Sequence, residues 1–103
     1  MKLLLDATRY DDLQPHFVAA ILESIKSRLE KEALAPDVVR TLTEEIAFSV
    51  ACIIDGSSSV EVDGTEIDPI LTFCSDDDVL MHQGGNSNLH EYVFGVASEI
   101  FDK

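Results

Sequence analysis

The residues whose side chains could bind a metal ion or take part in catalysis lie mostly in the second half of the chain. Three consecutive aspartates, Asp76 to Asp78, supply carboxylate oxygens, and His82 and His90 follow them. Such groups bind a divalent cation when three or more of them converge. Aspartate is also common in turns, because its side chain accepts hydrogen bonds from nearby backbone amides. The spacing contains neither HxxxH nor HExxH, so we favour a turn.

A second acidic group surrounds the dipeptide Asp63-Gly64. Asp-Gly between alternating apolar residues predicts a two-residue β-hairpin, which would place Glu61 opposite Glu66. Two carboxylates in this position repel each other. Either water solvates both, or a cation or a partner's Lys or Arg side chain lies between them. We predict a protein-binding surface that consists of acidic residues, namely Glu61, Asp63, Glu66, Asp68, Asp76, Asp77 and Asp78.

The segment from Asp55 to Glu66 partly resembles an EF-hand loop in the spacing of its oxygen-bearing side chains. The glycine that such a loop requires at its sixth position is replaced by Val60, and Asp68-Pro69 interrupts the helix that should follow. We therefore expect no calcium site here. No other motif predicts a metal, a cofactor or a catalytic residue, and we interpret the protein as non-enzymatic.

The charge of the chain is distributed very unevenly. The net charge is −13 over 103 residues, and six of the seven Lys and Arg residues lie within the first forty. Residues 41–102 contain thirteen acidic residues and neither Lys nor Arg. This distribution argues against binding to nucleic acid, whose phosphates require cations, and against docking on an anionic membrane. It favours a basic protein partner, because opposite charges steer association.

Helical patterns predict the elements that hold these groups. A first helix begins at Asp11-Asp12 and frays near Ala33-Leu34, and a second runs from Pro36 to Gly56. The second is apolar around most of its circumference, so we expect it to lie enclosed at the centre of the domain. Its apolar stripe consists of Val39, Leu42, Ile46, Val50 and Ile53. On this placement, Ile46→Asp and Val50→Asp would each abolish folding.

Beyond Gly56 the apolar residues recur at every second position, which predicts strands. We expect the hairpin at 60–67 and strands at 70–75 and 79–83, with either an edge strand or a packed lead-in segment at residues 2–5. Asn88 and Glu91 then fit a capping box at the start of a last helix. The predicted fold class is α+β, with residues 1–103 forming a single two-layer domain. It contains an N-terminal helical hairpin, a small antiparallel β-meander and a C-terminal helix.

The cysteine usage and the hydropathy bear on the compartment. Cys52 and Cys74 lie in apolar runs without CxxC spacing, which favours free thiols in a reducing environment, with a buried disulfide as the alternative. No apolar run approaches the roughly 20 residues of a membrane span. The first residues turn polar too early for a signal peptide. We therefore predict a cytoplasmic protein without membrane association.

Three functions fit these observations to different degrees. The function that fits best is a binding or regulatory module that engages a basic protein partner through the acidic region 41–102. Inhibitors, immunity or antitoxin-like proteins and chaperone-like proteins act in this way. The alternative is a homodimeric accessory protein without an acidic-face partner that could bind a small ligand. In that case the strand 70–75 and the last helix would pack against a second copy. The weakest is a metal-dependent enzyme that uses Asp76–Asp78, His82 and His90.

Overall fold

The computed structural model describes residues 1–75 and 78–103. Within these residues, three α-helices, a short 3-10 helix and five strands follow one another. In order they are β1 (Lys2–Leu5), α1 (Ala7–Leu29), α2 (Pro36–Ile54), β2 (Val60–Val62), β3 (Thr65–Ile67), β4 (Phe73–Cys74), β5 (Val79–His82), the 3-10 helix (Leu89–Tyr92) and α3 (Val93–Phe101). The α+β class, the packed N-terminal helix pair and the C-terminal helix are confirmed.

The first helix begins earlier than the sequence predicts. Asp6 caps α1, because its Oδ1 accepts the backbone N–H of Arg9 at 3.0 Å. The predicted start at Asp11-Asp12 is wrong, since a capping aspartate was already available one turn upstream. Pro15 consequently lies inside the helix instead of in its first turn.

The second helix contacts the core through one stripe and is not enclosed. Its buried residues follow at four-residue steps and are small or medium in size: Val39, Thr43, Ala47 and Ala51. Ile46, Val50 and Ile53 are 41%, 37% and 47% exposed. The prediction of a central, enclosed helix is therefore wrong. Small side chains allow α2 to approach its neighbours closely, and the large ones project away from that contact.

The core lies between the three α-helices and the 3-10 helix. It is built from eight buried side chains: Val18, Leu22, Ala47, Ala51, Leu89, Val93, Val96 and Ala97. Aromatic contacts attach the sheet to α1. The ring of Phe73 lies 5.0 Å from that of Tyr10 and 5.9 Å from that of Phe17, measured between centroids. The Tyr10 hydroxyl also donates to the carbonyl of Leu71 at 2.7 Å.

The strands form two sheets, whereas the sequence predicted one antiparallel meander. β1 pairs in parallel with β5, and β4 pairs antiparallel with β5, which gives the order β1-β5-β4. β2 and β3 form a separate antiparallel hairpin. Parallel pairing of β1 with β5 requires a long crossover connection, and the two N-terminal helices supply it. The strand predicted at 70–75 is shortened to Phe73–Cys74.

Candidate functional site

The hairpin forms in the predicted register. Glu61 lies opposite Glu66, and the turn residues Asp63 and Gly64 have φ angles of 51° and 80°. Positive φ at both central positions is the conformation of a type I′ turn, which explains the Asp-Gly dipeptide. The backbone register therefore fixes the two carboxylates next to each other.

The hairpin has an acidic face and an apolar face, because successive side chains of a strand point to opposite sides. Glu61 and Glu66 occupy the first face, and Val60, Val62 and Ile67 occupy the second. Every residue of both strands is exposed. This ribbon therefore presents carboxylates and an uncovered apolar surface within the same few residues.

The other predicted acidic residues occupy two parts of the fold. Asp68 lies at the base of the hairpin, close to Gly56, which follows α2. Its Oδ1 is 3.5 Å from the position that a Cβ atom would occupy at Gly56. Asp78 lies at the entrance to β5 and is exposed, and its backbone carbonyl accepts the N–H of Lys2 at 3.3 Å. Asp76 and Asp77 lie outside the described residues. Of the predicted acidic surface, the hairpin therefore holds Glu61, Asp63 and Glu66, with Asp68 at its base.

Three large apolar side chains of α2 are exposed. Ile46, Val50 and Ile53 recur at four- and three-residue steps, so they share one face of the helix. We call these three residues the α2 apolar face. Ile53 lies within one turn of Gly56, so this face leads towards the hairpin base. Exposed apolar side chains that share one face of a helix are a feature of interaction sites in soluble proteins.

A buried carboxylate at the end of α2 is the feature that sequence reasoning missed. The side chain of Asp55 is only 1% exposed. It accepts hydrogen bonds from the Ser87 hydroxyl at 2.5 Å, from the backbone N–H groups of Leu89 and His90 at 3.0 and 2.8 Å, and from His90 Nδ1 at 2.6 Å. Asp55 therefore connects α2 to the start of the 3-10 helix.

These hydrogen bonds decide the ionisation of Asp55. Burial is the largest influence and raises the pKa, but the bonds from Ser87, from His90 and from Leu89 together outweigh it, so the pKa lies below its usual 3.8. The carboxylate is therefore ionised near neutral pH. It caps the N-terminal end of the 3-10 helix from a distant part of the chain, where a negative charge is favourable.

The capping box predicted at Asn88 and Glu91 does not form. The Asn88 side chain makes no capping bond; it accepts a bond from Gln14 Nε2 at 2.7 Å and donates one to Glu91 Oε2 at 2.7 Å. The Gln14 side chain also accepts the backbone N–H of Asn88 at 2.8 Å. Asn88 therefore attaches this segment to α1, while Asp55 caps it.

The ring of His90 retains one nitrogen for other interactions. Because the Asp55 carboxylate can only accept, Nδ1 is the donor, and Nε2 of the neutral ring is an acceptor. The side chain is 30% exposed and lies edge-on to Phe48, with centroids 6.0 Å apart. A carboxylate–imidazole pair can transfer protons only to a substrate held within reach. Such a role would require a concave surface beside His90.

Two grooves lie elsewhere on the molecule. The larger, of about 350 Å³, is lined by Lys26, Glu30, Leu34, Pro36, Val39, Ile100 and Phe101. The smaller, of about 290 Å³, is lined by Arg9, Leu13, Phe73, Cys74, Ser75 and Met81. Neither of these two grooves is lined by His90. Because the hydrogen bonds of Asp55 join the end of α2 to residues 87–90, we interpret the Asp55–His90 pair as a structural link.

The described residues give no support to a metal centre. His82 Nδ1 accepts the N–H of Gly84 at 3.1 Å, and His90 Nδ1 is bonded to Asp55. Within residues 1–75 and 78–103, no three His, Cys, Asp or Glu side chains lie close enough to hold a metal ion. Cys52 and Cys74 are free thiols, so the alternative of a disulfide between them is wrong.

Comparison of the chain with protein-family models, curated proteins and solved structures finds no match. Within the part of the chain that the structure describes, no helix is both long and apolar enough to cross a membrane.

Proposed function

We propose that this protein is a non-enzymatic binding or regulatory module, which engages a basic protein partner through the hairpin and the adjoining α2 apolar face. The observation that carries the proposal is an uncovered apolar surface set within an entirely acidic part of the chain. An inhibitor, an immunity or antitoxin-like protein and a chaperone-like protein would each use such a surface.

The two kinds of residue have separate roles in this proposal. The carboxylates of Glu61, Asp63 and Glu66 attract a basic surface over roughly 10 Å at moderate ionic strength, and thereby raise the association rate. Val62 and Ile67, which are 50% and 47% exposed, then lose their contact with water against apolar residues of the partner. Affinity in protein complexes comes mainly from such desolvated central contacts.

Charge also defines the chemistry of the partner. Since residues 41–102 contain no Lys or Arg, a partner with an acidic rim would meet repulsion everywhere on this surface. We therefore expect the partner to have an apolar centre bordered by Lys and Arg side chains. Such a partner also accounts for the opposed pair Glu61 and Glu66, because one cation between them would relieve their repulsion.

The test is a pull-down at low salt with three forms of the chain. The first is wild type, the second neutralises the hairpin (Glu61→Gln, Asp63→Asn, Glu66→Gln), and the third is a control with the same charge change (Glu23→Gln, Glu30→Gln, Glu32→Gln). The control acids are exposed and lie on α1 or in the turn that follows it.

We expect a basic protein to be retained by wild type and by the control, released by high salt, and lost from the hairpin variant. Equal loss from both triple variants would mean that only net charge matters, which contradicts a specific site. Retention by all three forms would exclude the hairpin.

A further inference from the structure

One edge of the three-stranded sheet is uncovered, and its residues are apolar. β1 is an edge strand, and within residues 1–75 and 78–103 no strand pairs with its outer side. Leu3, Leu4 and Leu5 are 70%, 46% and 64% exposed. An exposed apolar edge strand is a template for pairing with another chain, and folded proteins normally block it with charge or cover it.

The pairing with β5 determines which backbone groups face this edge. The N–H of Lys2 donates to the carbonyl of Asp78 at 3.3 Å, and the N–H of Asp6 donates to that of His82 at 3.0 Å. In a parallel pair, alternate residues direct their backbone groups at the neighbouring strand. Residues 2, 4 and 6 therefore face β5, so the N–H and C=O groups of Leu3 and Leu5 face the uncovered edge.

We infer that a second copy of this chain binds along this edge, with the two β1 strands antiparallel and Leu4 opposite Leu4 of the second copy. In this register Leu3 lies opposite Leu5 of the second copy. Both residues direct their N–H and C=O groups outward, so each such pair exchanges both of its backbone hydrogen bonds. The arrangement has the twofold symmetry of an isologous dimer and joins the two sheets into one.

Charge selects the same register. Lys2 lies opposite Asp6 of the second copy, and symmetry repeats this ion pair. The N–H of Asp6 still donates to the carbonyl of His82 at 3.0 Å, so the hydrogen bonds between β1 and β5 reach this residue. Its Oδ1 accepts the N–H of Arg9, which leaves Oδ2 for the lysine. A register centred on Leu3 would place Lys2 opposite Leu4 and lose both ion pairs.

The dimer would also cover exposed apolar surface. Phe73 pairs in register with Met81, and Phe73 contacts Tyr10, so this side of the sheet faces α1. Leu4 is in register with Met81, so Leu3 and Leu5 project from the opposite side of the sheet. Across the twofold axis, Leu3 and Leu5 of both copies become neighbours and exclude water from one another.

The position of β1 makes such an encounter feasible for an acidic protein. Two copies with a net charge of −13 repel each other at most orientations. β1 belongs to the first forty residues, where the bases and the acids nearly balance. The edge carries opposite charges at its two ends, Lys2 and Asp6, and the N-terminal ammonium group lies 3.9 Å from Asp78 Oδ2 beside β1.

The test measures the dimer dissociation constant by sedimentation equilibrium for Lys2→Glu, for Asp6→Lys and for their equimolar mixture. Each single variant places like charges opposite each other, so we expect dissociation constants higher by about tenfold. The mixture restores opposite charges at both positions, so its constant should return close to that of wild type. Lys31→Glu, with the same charge change in the exposed turn after α1, is the control and should remain near wild type.

Asp6 also caps α1, so a second variant tests the dimer without changing this cap. Leu3→Pro removes an N–H that faces the uncovered edge but leaves the bonds to β5. We therefore expect this variant to be folded by circular dichroism and monomeric by sedimentation equilibrium. A wild-type chain that is monomeric at about 100 μM would overturn the inference. A mixture that fails to restore the dimer, or a dimer unaffected by Leu3→Pro, would overturn it as well. None of these results depends on the basic partner of the proposed function.

Discussion

Asp55 and His90 are 35 residues apart in the chain, yet His90 donates to the same Asp55 carboxylate oxygen from its backbone N–H and from its ring Nδ1. The backbone bond fixes the start of the 3-10 helix, and the ring bond fixes the orientation of the imidazole. With Ser87 and Leu89 bonded to the other oxygen, one side chain holds the end of α2, the preceding loop and the entry into α3 together.

Replacing this carboxylate should be costly. In Asp55→Asn the shape of the side chain is retained, but an NH₂ group faces donors that require an acceptor, so we expect a loss of about 3 kcal/mol of unfolding free energy. Urea denaturation measures this loss. Glu91→Gln is the control, because Glu91 is an exposed acid bonded to Asn88, and its replacement should cost less than about 1 kcal/mol. A loss of similar size in both variants would contradict the role of Asp55.

The same residue predicts a dependence of stability on pH. Because the pKa of Asp55 is lower in the folded state than the usual 3.8, its contribution is complete above about pH 5 and is lost as the pH falls through 3.8 towards the folded pKa. The measurement is the difference in unfolding free energy between wild type and Asp55→Asn from pH 7 to pH 3. Repulsion among the other acids relaxes in both proteins and cancels in this difference. The difference should shrink in acid, and a constant value would exclude ionised Asp55 as its source.

Neighbouring positions on α2 should respond very differently to a charge. Ile46 is 41% exposed, whereas Ala47 is 1% exposed within the core. We expect Ile46→Asp to fold with a loss of about 1 kcal/mol, since the carboxylate can reach water. Ala47→Asp would bury an unpaired charge and should leave the chain unfolded. Circular dichroism with urea titration distinguishes the two, and an unfolded Ile46→Asp would restore the enclosed helix predicted from the sequence.

Thr43 offers a stabilising substitution. Its hydroxyl is buried without a hydrogen-bond partner among the described residues. Thr43→Val keeps the shape and removes the unsatisfied polar atom, so we expect a gain of about 1 kcal/mol. For a chain of this size that corresponds to a melting temperature higher by roughly 4 °C or more. A lower melting temperature would mean that the hydroxyl does contribute a hydrogen bond.

Local patterns predicted the elements whose determinants lie close together in the chain. Asp63-Gly64 specifies the hairpin and its register within eight residues, because a two-residue turn leaves no other pairing. Gly56, with φ of 76°, ends α2 as expected of a glycine at this position. The start of α1 was misplaced, since Asp6 and Asp11 are equally good caps and only the structure shows which one bonds to the first turn.

Contacts between distant residues could not be predicted in this way. β1 pairs with a strand more than seventy residues away, and Asp55 meets Ser87 and His90 after 32 and 35 residues that include the hairpin and two strands of the sheet. The orientation of α2 was mistaken because apolar residues surround it almost completely, so periodicity does not indicate which side is buried. Among the predicted site residues, the hairpin acids were placed correctly because they depend only on a local turn.

The separation of the hairpin from the three-stranded sheet has a consequence for amide hydrogen exchange. An isolated two-stranded ribbon is marginally stable in water, so the amides of residues 60–67 should exchange through local opening and not through global unfolding. Their protection factors should therefore be far lower than those of the α1 and α2 core and should be insensitive to Asp55→Asn. Slower exchange at these amides would then be a direct signal that another molecule has bound to the hairpin.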